Sequence, residues 1–156
     1  GILGFNVESV PELHALSEVA SGLGKTAKVA LRVNPDVDAK THAKISTGKA
    51  ENKFGIDFEA ASDVYERAEN LPNILVRGVQ MHIGSQITEA APFVAAIEKL
   101  APLVSELKSK YAIEFFSIGG GIGYDTETTG ELGYTYYGST LIRTVWLTTY
   151  YYGGGG

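Results

Sequence analysis

Two short polar segments each follow an apolar run that is typical of a buried strand. Residues 82–86 (His-Ile-Gly-Ser-Gln) follow the run 74–81, and residues 117–123, with three consecutive glycines, follow the run 113–118. In α/β folds, ligands bind at the carboxyl ends of parallel strands. Glycines let backbone N–H groups approach an anion closely, and the start of a following helix favours negative charge. These segments therefore predict a site for a phosphate-bearing cofactor, with the His82 imidazole on a planar ring and the Ser85 hydroxyl on the phosphate.

Each of these residues also has a purely structural interpretation. A lone His at a strand end is more often hydrogen-bonded to the backbone, and Ser85 or Thr88 could cap the next helix. The glycines at 119, 120 and 121 could form only a tight turn. Three glycines in a row cost chain entropy, however, which favours a close backbone approach to a ligand. The run matches no dinucleotide-binding fingerprint.

Charged residues near the other strand ends leave two interpretations open. Arg32 lies inside an apolar strand, and a buried Arg needs an acceptor or an ion partner. It forms either a structural ion pair or a contact with an oxygen of the cofactor. Asn6 and Glu8 are similarly placed after the first strand, although Glu8 could only decorate a helix N-terminus.

A long polar stretch over residues 35–56 is either a solvated loop or a flexible lid over an active site. Its candidate active-site residues combine hydroxyls, a charge and an aromatic ring: Ser46, Thr47, Gly48, Lys53 and Phe54. His14 and His42 lack metal-ligand spacing to other His or carboxylate residues, so no metal site is predicted.

The elements that would position these residues alternate regularly. Strands are predicted near 3–7, 28–33, 75–82 and 113–118, with helices from Ser9 to about Gly22, over 58–70 and over about 90–110. Strand–helix units at roughly 40-residue spacing imply right-handed crossovers and a parallel sheet. The predicted fold class is α/β, either part of a (β/α)₈ barrel, about half of it, or a small doubly wound sheet.

Composition excludes several other classes of protein. The chain has 156 residues, 44% hydrophobic and 20% charged, which is globular. A net charge of −5 disfavours a nucleic-acid partner, and no run approaches the length of a membrane span. The absence of cysteine excludes disulfides and fits a cytoplasmic protein. Because the chain starts inside an apparent strand, we expect it to be part of something larger.

The last 33 residues differ in character from the rest. Residues 124–156 are rich in Tyr, Thr and Gly, end in four glycines, and keep no helical period. We therefore divide the chain into a partial barrel domain at 1–123 and an atypical tail at 124–156, and expect the tail to pack poorly.

Over residues 1 to about 123 the motifs, in order and spacing, closely resemble the diaminopimelate decarboxylase family of fold-type III enzymes that use pyridoxal 5′-phosphate. The matching segments are residues 5–9 (Phe-Asn-Val-Glu-Ser), 30–38 (Ala-Leu-Arg-Val-Asn-Pro-Asp-Val-Asp), 46–48 (Ser-Thr-Gly), 52–56 (Asn-Lys-Phe-Gly-Ile), 82–87 (His-Ile-Gly-Ser-Gln-Ile) and 119–123 (Gly-Gly-Gly-Ile-Gly).

The resemblance implies a fold, a reaction and a role for several residues. The fold would be a (β/α)₈ barrel followed by a β domain, assembled as a homodimer. The reaction would be decarboxylation of meso-diaminopimelate, an amino acid, to L-lysine. His82 would stack on the pyridine ring, Ser85 and the glycines at 119–121 would hold the phosphate, and Arg32 would lie beside the cofactor. Residues 44–55 would form the mobile active-site loop.

The resemblance also has gaps, which leave alternatives open. The family's Schiff-base lysine has no counterpart here, so no catalytic residue is assigned in this chain. One alternative is another fold-type III decarboxylase, of the ornithine, arginine or carboxynorspermidine type, but Gln86 and the turn at 34–36 (Asn-Pro-Asp) favour the diaminopimelate branch. The other is a non-catalytic half-barrel fragment.

Overall fold

A computed structural model describes residues 2–37 and 54–122, in which strands and helices alternate. The strands are β1 (Phe5–Val7), β2 (Ala27–Asn34), β3 (Ile56–Asp57), β4 (Ile74–Gln80) and β5 (Phe115–Ser117). The helices are α1 (Val10–Gly22), α2 (Ala61–Glu69) and α3 (Ala91–Lys110), with one turn of 3-10 helix (Phe58–Ala60) before α2. The tail at 124–156, and with it the predicted poor packing, lies outside the described residues.

The strands form one parallel sheet in the order β1-β2-β4-β5, with β3 paired to the end of β2. The predicted parallel arrangement of the four strands β1, β2, β4 and β5 is therefore confirmed. The strand β3 was not predicted, because Ile56 was included in the long loop. Its two residues pair with Val33 and Asn34, and a strand this short leaves no alternating pattern in the sequence.

Helix α1 begins with a capping arrangement that the sequence predicts. Ser9 is the N-cap, and its hydroxyl accepts from the Glu12 backbone N–H at 3.3 Å. The Glu12 carboxylate accepts in turn from the Glu8 backbone N–H at 2.7 Å, one residue earlier than in the usual capping box. Leu13 and Ala20 are buried, whereas Val19 is 58% exposed, so Ala20 belongs to the buried stripe and Val19 does not.

Helix α2 buries the face that its period predicts, formed by Ala61, Val64, Tyr65 and Ala68. Tyr65 crosses beneath the sheet, and its hydroxyl lies 2.9 Å from the Gly78 carbonyl and 3.4 Å from the Leu31 carbonyl. The two strands shift register just there, since one extra residue of β4 separates the pairs Val29–Val76 and Ala30–Gly78. Tyr65 therefore provides a donor to backbone at the irregular step of the central strand pair.

Helix α3 begins at the predicted position near residue 90, after both residues that the sequence offered as possible caps. Its N-cap is Ala90, with no side-chain bond, and Pro92 lies in the first turn. Neither Ser85 nor Thr88 caps it, because residues between 85 and 90 instead follow the sheet edge and pair there through Ile87. Proline is favoured in the first turn of a helix, so Pro92 is a sufficient start signal.

Asn73 joins the connections at the amino end of the sheet. Its backbone carbonyl accepts from Ala27 N at 2.8 Å, and its side-chain amide donates to Lys25 O at 2.8 Å. The Ser21 hydroxyl donates to Asn73 Oδ1 at 3.1 Å. Hydrogen bonds between connecting segments therefore lie at the amino end of the sheet. The candidate site residues lie at the opposite, carboxyl end. In the part of the chain that the structure describes, no helix is long and apolar enough to cross a membrane.

Candidate functional site

The two polar segments emerge side by side from neighbouring strands. Strands β4 and β5 are parallel and adjacent, so their carboxyl ends lie at one edge of the sheet. Beyond the strands, Met81 N donates to Ser117 O at 2.9 Å and Ile87 N donates to Gly121 O at 2.9 Å. The prediction that His82, Ser85 and the triple glycine lie at the same C-terminal edge is confirmed.

Glycine is required at two of the three positions, for reasons of backbone conformation and close packing. Gly119 and Gly121 have φ of 78° and 94°, which favour glycine. A Cβ on Gly119 would overlap the Met81 carbonyl oxygen, and one on Gly121 would overlap the Gly84 carbonyl oxygen. The close approach at these two positions is therefore between one loop of the protein and the other, rather than only between backbone and ligand.

Gly120 is the exception in this run. Within the described residues, a Cβ there would meet no atom within 4 Å, and Gly120 is not among the residues with positive φ. The neighbours Gly119 and Gly121 pack closely against the other loop, whereas the Cβ direction of Gly120 is open. Of the three glycines, this one leaves room for a ligand.

Ser85 lies in the loop opposite, between Gly84 and Gln86. Its side chain is exposed, and Gln86 has φ of 58°, so the chain turns sharply there before Ile87 returns to pair with Ile122. The loop is thus pinned on both sides of Ser85, by Met81 and by Ile87. An exposed hydroxyl on a pinned loop is available to a ligand.

Arg32 forms an ion pair at the edge of the site, which confirms the first of its two sequence interpretations, whereas its contact with a cofactor oxygen stays a prediction. Its Nη1 lies 2.6 Å from Glu8 Oε1, and its Nη2 donates to the His82 carbonyl at 3.3 Å. The Phe54 ring centroid lies 5.7 Å from the guanidinium carbon. Within the described residues, the buried Arg32 Nε has no hydrogen-bond partner.

His82 is half-buried directly after β4. Burial lowers its pKa from the usual 6.5, the positive charge of Arg32 lowers it further, and the carboxylate of Glu8 raises it. The net direction is downward, so the ring is neutral at neutral pH. A neutral flat ring at a strand edge can stack on another planar ring without bringing in a charge.

A polar layer below this edge was not anticipated from the sequence. Register pairs Arg32 with Gln80, and Gln80 with Ser117. Gln80 is 7% exposed, its amide donates to Met81 O at 2.6 Å, and within the described residues its Oε1 has no partner. The signal was present: a Gln inside an apolar strand, two residues before His82, is as unusual as Arg32 in its own strand.

The predicted active-site loop is only partly within the described residues. Ser46, Thr47, Gly48 and Lys53 lie outside them, and the assignment of the loop stays a prediction. Phe54 is described, is 73% exposed, and contacts Arg32. In residues 2–37 and 54–122, no three His, Cys, Asp or Glu side chains gather as metal ligands would.

A separate pocket of about 380 Å³ lies toward the amino half of the same sheet. It is bordered by Leu3, Phe5, Lys28, Ala30 and Phe115, among others, and includes none of His82, Ser85 or Gly120. We therefore place the candidate site by the strand-end geometry, because polar groups converge there and not in this mostly apolar pocket.

Comparisons with known proteins identify relatives of this chain. The diaminopimelate decarboxylases of Zymomonas mobilis and Vibrio cholerae are 53% and 52% identical to this chain over 124 and 120 residues, 79% and 76% of the chain. Those regions are 30% and 29% of the two relatives, so the chain spans about a third of their length. The crystal structure of diaminopimelate decarboxylase from Helicobacter pylori, complexed with L-lysine, has a TM-score of 0.75 and 39% identity, over 82% of this chain and 33% of that one.

A family described as pyridoxal-dependent decarboxylase, pyridoxal binding domain, matches residues 1–147. The match continues beyond residue 123, into the segment that the sequence set apart as an atypical tail. The resemblance and the predicted fold class, part of a parallel α/β barrel, are both confirmed. This chain belongs to the pyridoxal-dependent decarboxylase family and forms part of its pyridoxal binding domain.

Proposed function

We propose that the full-length protein carrying this chain is a pyridoxal 5′-phosphate-dependent carboxy-lyase that converts meso-diaminopimelate to L-lysine and carbon dioxide. About half of the aligned residues are identical to diaminopimelate decarboxylases. The observation that carries the proposal is the pair of interlocked strand-end loops, which leave Gly120 open beside a neutral His82 ring.

The residues at this edge fit the cofactor. Gly120 has an open Cβ direction, Ser85 offers an exposed hydroxyl, and Arg32 offers a buried N–H that has no partner among the described residues. In the proposed arrangement, Ser85 and the backbone at Gly119, Gly120 and Gly121 bind the phosphate. His82 covers the ring, and Arg32 lies beside it. When bound, pyridoxal phosphate accepts the electron pair that the departing carbon dioxide leaves behind.

We assign the covalent anchor for the cofactor to a lysine outside this chain. This assignment rests on the resemblance to the family, whose Schiff-base lysine has no counterpart in the matching segments. Of the described lysines, Lys28 is at the start of β2 and borders the separate pocket, and Lys99 donates to the Asp36 carbonyl at 3.4 Å. We further propose a cytoplasmic homodimer, on the resemblance to the family and on the soluble type of composition. The substrate is a small amino acid in this proposal.

The substrate is tested with the full-length protein and a panel of amino acids. We expect release of carbon dioxide and L-lysine from meso-diaminopimelate, and much slower release of carbon dioxide from ornithine, arginine or carboxynorspermidine. Faster turnover of one of those three would replace the proposed substrate with it. If no amino acid is decarboxylated and no pyridoxal phosphate is retained, the non-catalytic interpretation is correct.

The site is tested with two alanine variants and one control. Ser85→Ala should weaken cofactor retention by about tenfold or more, because a charge-assisted hydrogen bond to the phosphate is lost. His82→Ala should weaken it by about two- to tenfold, the size of a lost ring contact. Thr88→Ala, exposed in the same loop, should not. Retention is measured by absorbance after ultrafiltration, and three equal values would remove the cofactor from this edge.

A further inference from the structure

We infer that Glu8 is a positioning residue of this site, whose carboxylate holds the Arg32 guanidinium against the backbone of His82. The inference rests on the proposed function only where it concerns the cofactor. Glu8 follows β1, Arg32 lies in β2 and His82 follows β4, so the contact joins three strands that are consecutive in the sheet.

The geometry of Arg32 is set by few contacts. The Glu8–Arg32 distance is 2.6 Å, and the second nitrogen of the same guanidinium reaches the His82 carbonyl at 3.3 Å. A planar guanidinium that is held at one nitrogen has a defined direction at the other. Glu8 therefore determines where Arg32 meets the loop that carries His82.

The simpler interpretation of Glu8, as an acid that decorates the N-terminus of α1, does not account for its contacts. The Ser9 hydroxyl and the Glu12 carboxylate serve the backbone at that helix start, and Glu12 accepts from the N–H of Glu8 itself. The cap thus fixes the backbone of Glu8, while its own carboxylate reaches across to Arg32.

Burial separates this pair from an ordinary surface ion pair. Exposed pairs contribute little because water screens them and both side chains lose freedom. The Arg32 side chain is only 13% exposed, although that of Glu8 is 43% exposed. Phe54 covers the guanidinium from a third side. An Arg that is this buried and loses its carboxylate partner has reason to move toward other acceptors or solvent.

The electrostatics give a readout that is independent of catalysis. The charged groups that act on His82 are Arg32, which lowers its pKa, and Glu8, which raises it. If Glu8→Gln leaves Arg32 in place, only the charge that raises this pKa is lost, and the pKa of His82 should fall further. If Arg32 moves away, the larger lowering effect of Arg32 is lost as well, and the pKa should rise toward its ordinary value. A rise is therefore the signature of a positioning role.

The experiment uses the full-length protein and five variants. Glu8→Gln keeps the shape and removes the charge, Glu8→Asp keeps the charge on a shorter side chain, and Glu18→Gln makes the same charge change on an exposed position of α1. Arg32→Lys, alone and combined with Glu8→Gln, keeps the positive charge and loses the planar fork. Pyridoxal phosphate dissociation constants come from absorbance titration. The His82 titration midpoint comes from NMR of ¹³C-histidine-labelled protein, assigned with His82→Gln.

We expect Glu8→Gln to raise the dissociation constant about tenfold and to raise the His82 midpoint, because Arg32 is released. Glu8→Asp should lie between it and the wild type, Glu18→Gln should match the wild type, and Glu8→Gln should add little in the Arg32→Lys background. The inference is overturned if Glu8→Gln leaves the His82 midpoint unchanged or lowers it, or if its effect on cofactor affinity is undiminished in that background. If Glu8→Gln does not fold, Glu8→Asp decides by the same criteria.

The two failures are distinguishable. If the wild-type protein binds no pyridoxal phosphate, the proposed function fails, but the His82 midpoint in Glu8→Gln still tests the contact between Glu8, Arg32 and His82. If the wild-type protein binds the cofactor but the His82 midpoint does not rise in the variant, the proposed function stands and the role of Glu8 falls.

Discussion

Gly120 and Gly121 are adjacent in the chain, yet the structure requires glycine at only one of them. A side chain at 121 would overlap the Gly84 carbonyl and would force a non-glycine residue into a left-handed conformation. A Cβ at 120 would meet no atom within 4 Å in the part of the chain that the structure describes. Substitution at 121 should therefore affect the stability of the loop pair, whereas substitution at 120 should affect ligand binding.

A pair of alanine substitutions tests that separation. Gly121→Ala should destabilise the full-length protein by at least ~2 kcal/mol, from overpacking and backbone strain. Gly120→Ala should stay within ~1 kcal/mol of the wild type but raise the dissociation constant of pyridoxal phosphate about tenfold, because a methyl group would occupy space at the phosphate. Urea denaturation of the cofactor-free protein and absorbance titration measure the two effects. Normal cofactor affinity in Gly120→Ala would place the phosphate elsewhere.

His82 predicts a pH dependence of stability. Its pKa is lower in the folded protein than the ordinary 6.5, so the unfolded chain binds the proton more readily. The stability that neutral His82 contributes is therefore present above pH 6.5 and is lost as the pH falls below it. The urea midpoint of the full-length protein should fall on acidification from pH 6.5, and His82→Gln should reduce that fall. An identical pH profile in both proteins would refute the prediction.

At the scale of elements, one hydroxyl of α2 serves the backbone of the two central strands. The buried Tyr65 hydroxyl lies within hydrogen-bond distance of the Gly78 and Leu31 carbonyls, where β2 and β4 shift register. Burial raises the pKa of Tyr65, so it remains a donor at any pH at which the fold exists. The register beyond that step places Arg32 opposite Gln80, so the bond supports the strand pairing below the site.

Tyr65→Phe should cost about 1–3 kcal/mol of unfolding free energy, because a buried carbonyl would lose its donor while the packing of the ring is kept. Tyr111 is half-buried directly after α3. Tyr111→Phe is therefore the matched control and should change stability by less than about 0.5 kcal/mol. Urea denaturation of the full-length proteins compares them. Equal stabilities of the two variants would mean that water replaces the Tyr65 hydroxyl.

At the scale of the whole molecule, the chain is a fraction of its relatives, about 30% of their length. Leu3 is 71% exposed here and Phe5 is 42% exposed, and both border the pocket on the sheet. Val19 of α1 is 58% exposed and does not border this pocket. Further strands of a complete barrel would cover apolar side chains such as Leu3 and Phe5, which border the pocket.

Leu3→Asp should therefore destabilise the full-length protein by about 2 kcal/mol or more, the loss of a buried apolar side chain plus the burial of a charge. Val19→Asp introduces the same side chain at a comparably exposed position and should cost less than about 1 kcal/mol. Thermal or urea unfolding of both variants provides the comparison. If both variants lose the same amount, Leu3 remains exposed in the full-length protein.

The sequence by itself determined the alternation of strands and helices, the buried faces of α1 and α2, and the edge at which the polar residues gather. These follow from local period, turn residues and the rule that parallel strands end together. The motifs around Arg32 and His82 also identified the family from the sequence.

Only the tertiary structure decided the contacts that give those residues a geometry. Glu8 meets Arg32 across 24 positions of sequence, and Arg32 meets His82 across 50. The different constraints on Gly120 and Gly121 and the pairing of Ile56 in β3 also depend on contacts between elements that are distant in sequence. Local pattern specifies which face of an element is buried. Which residues meet across strands depends on register, and register is set by the packing of the whole sheet.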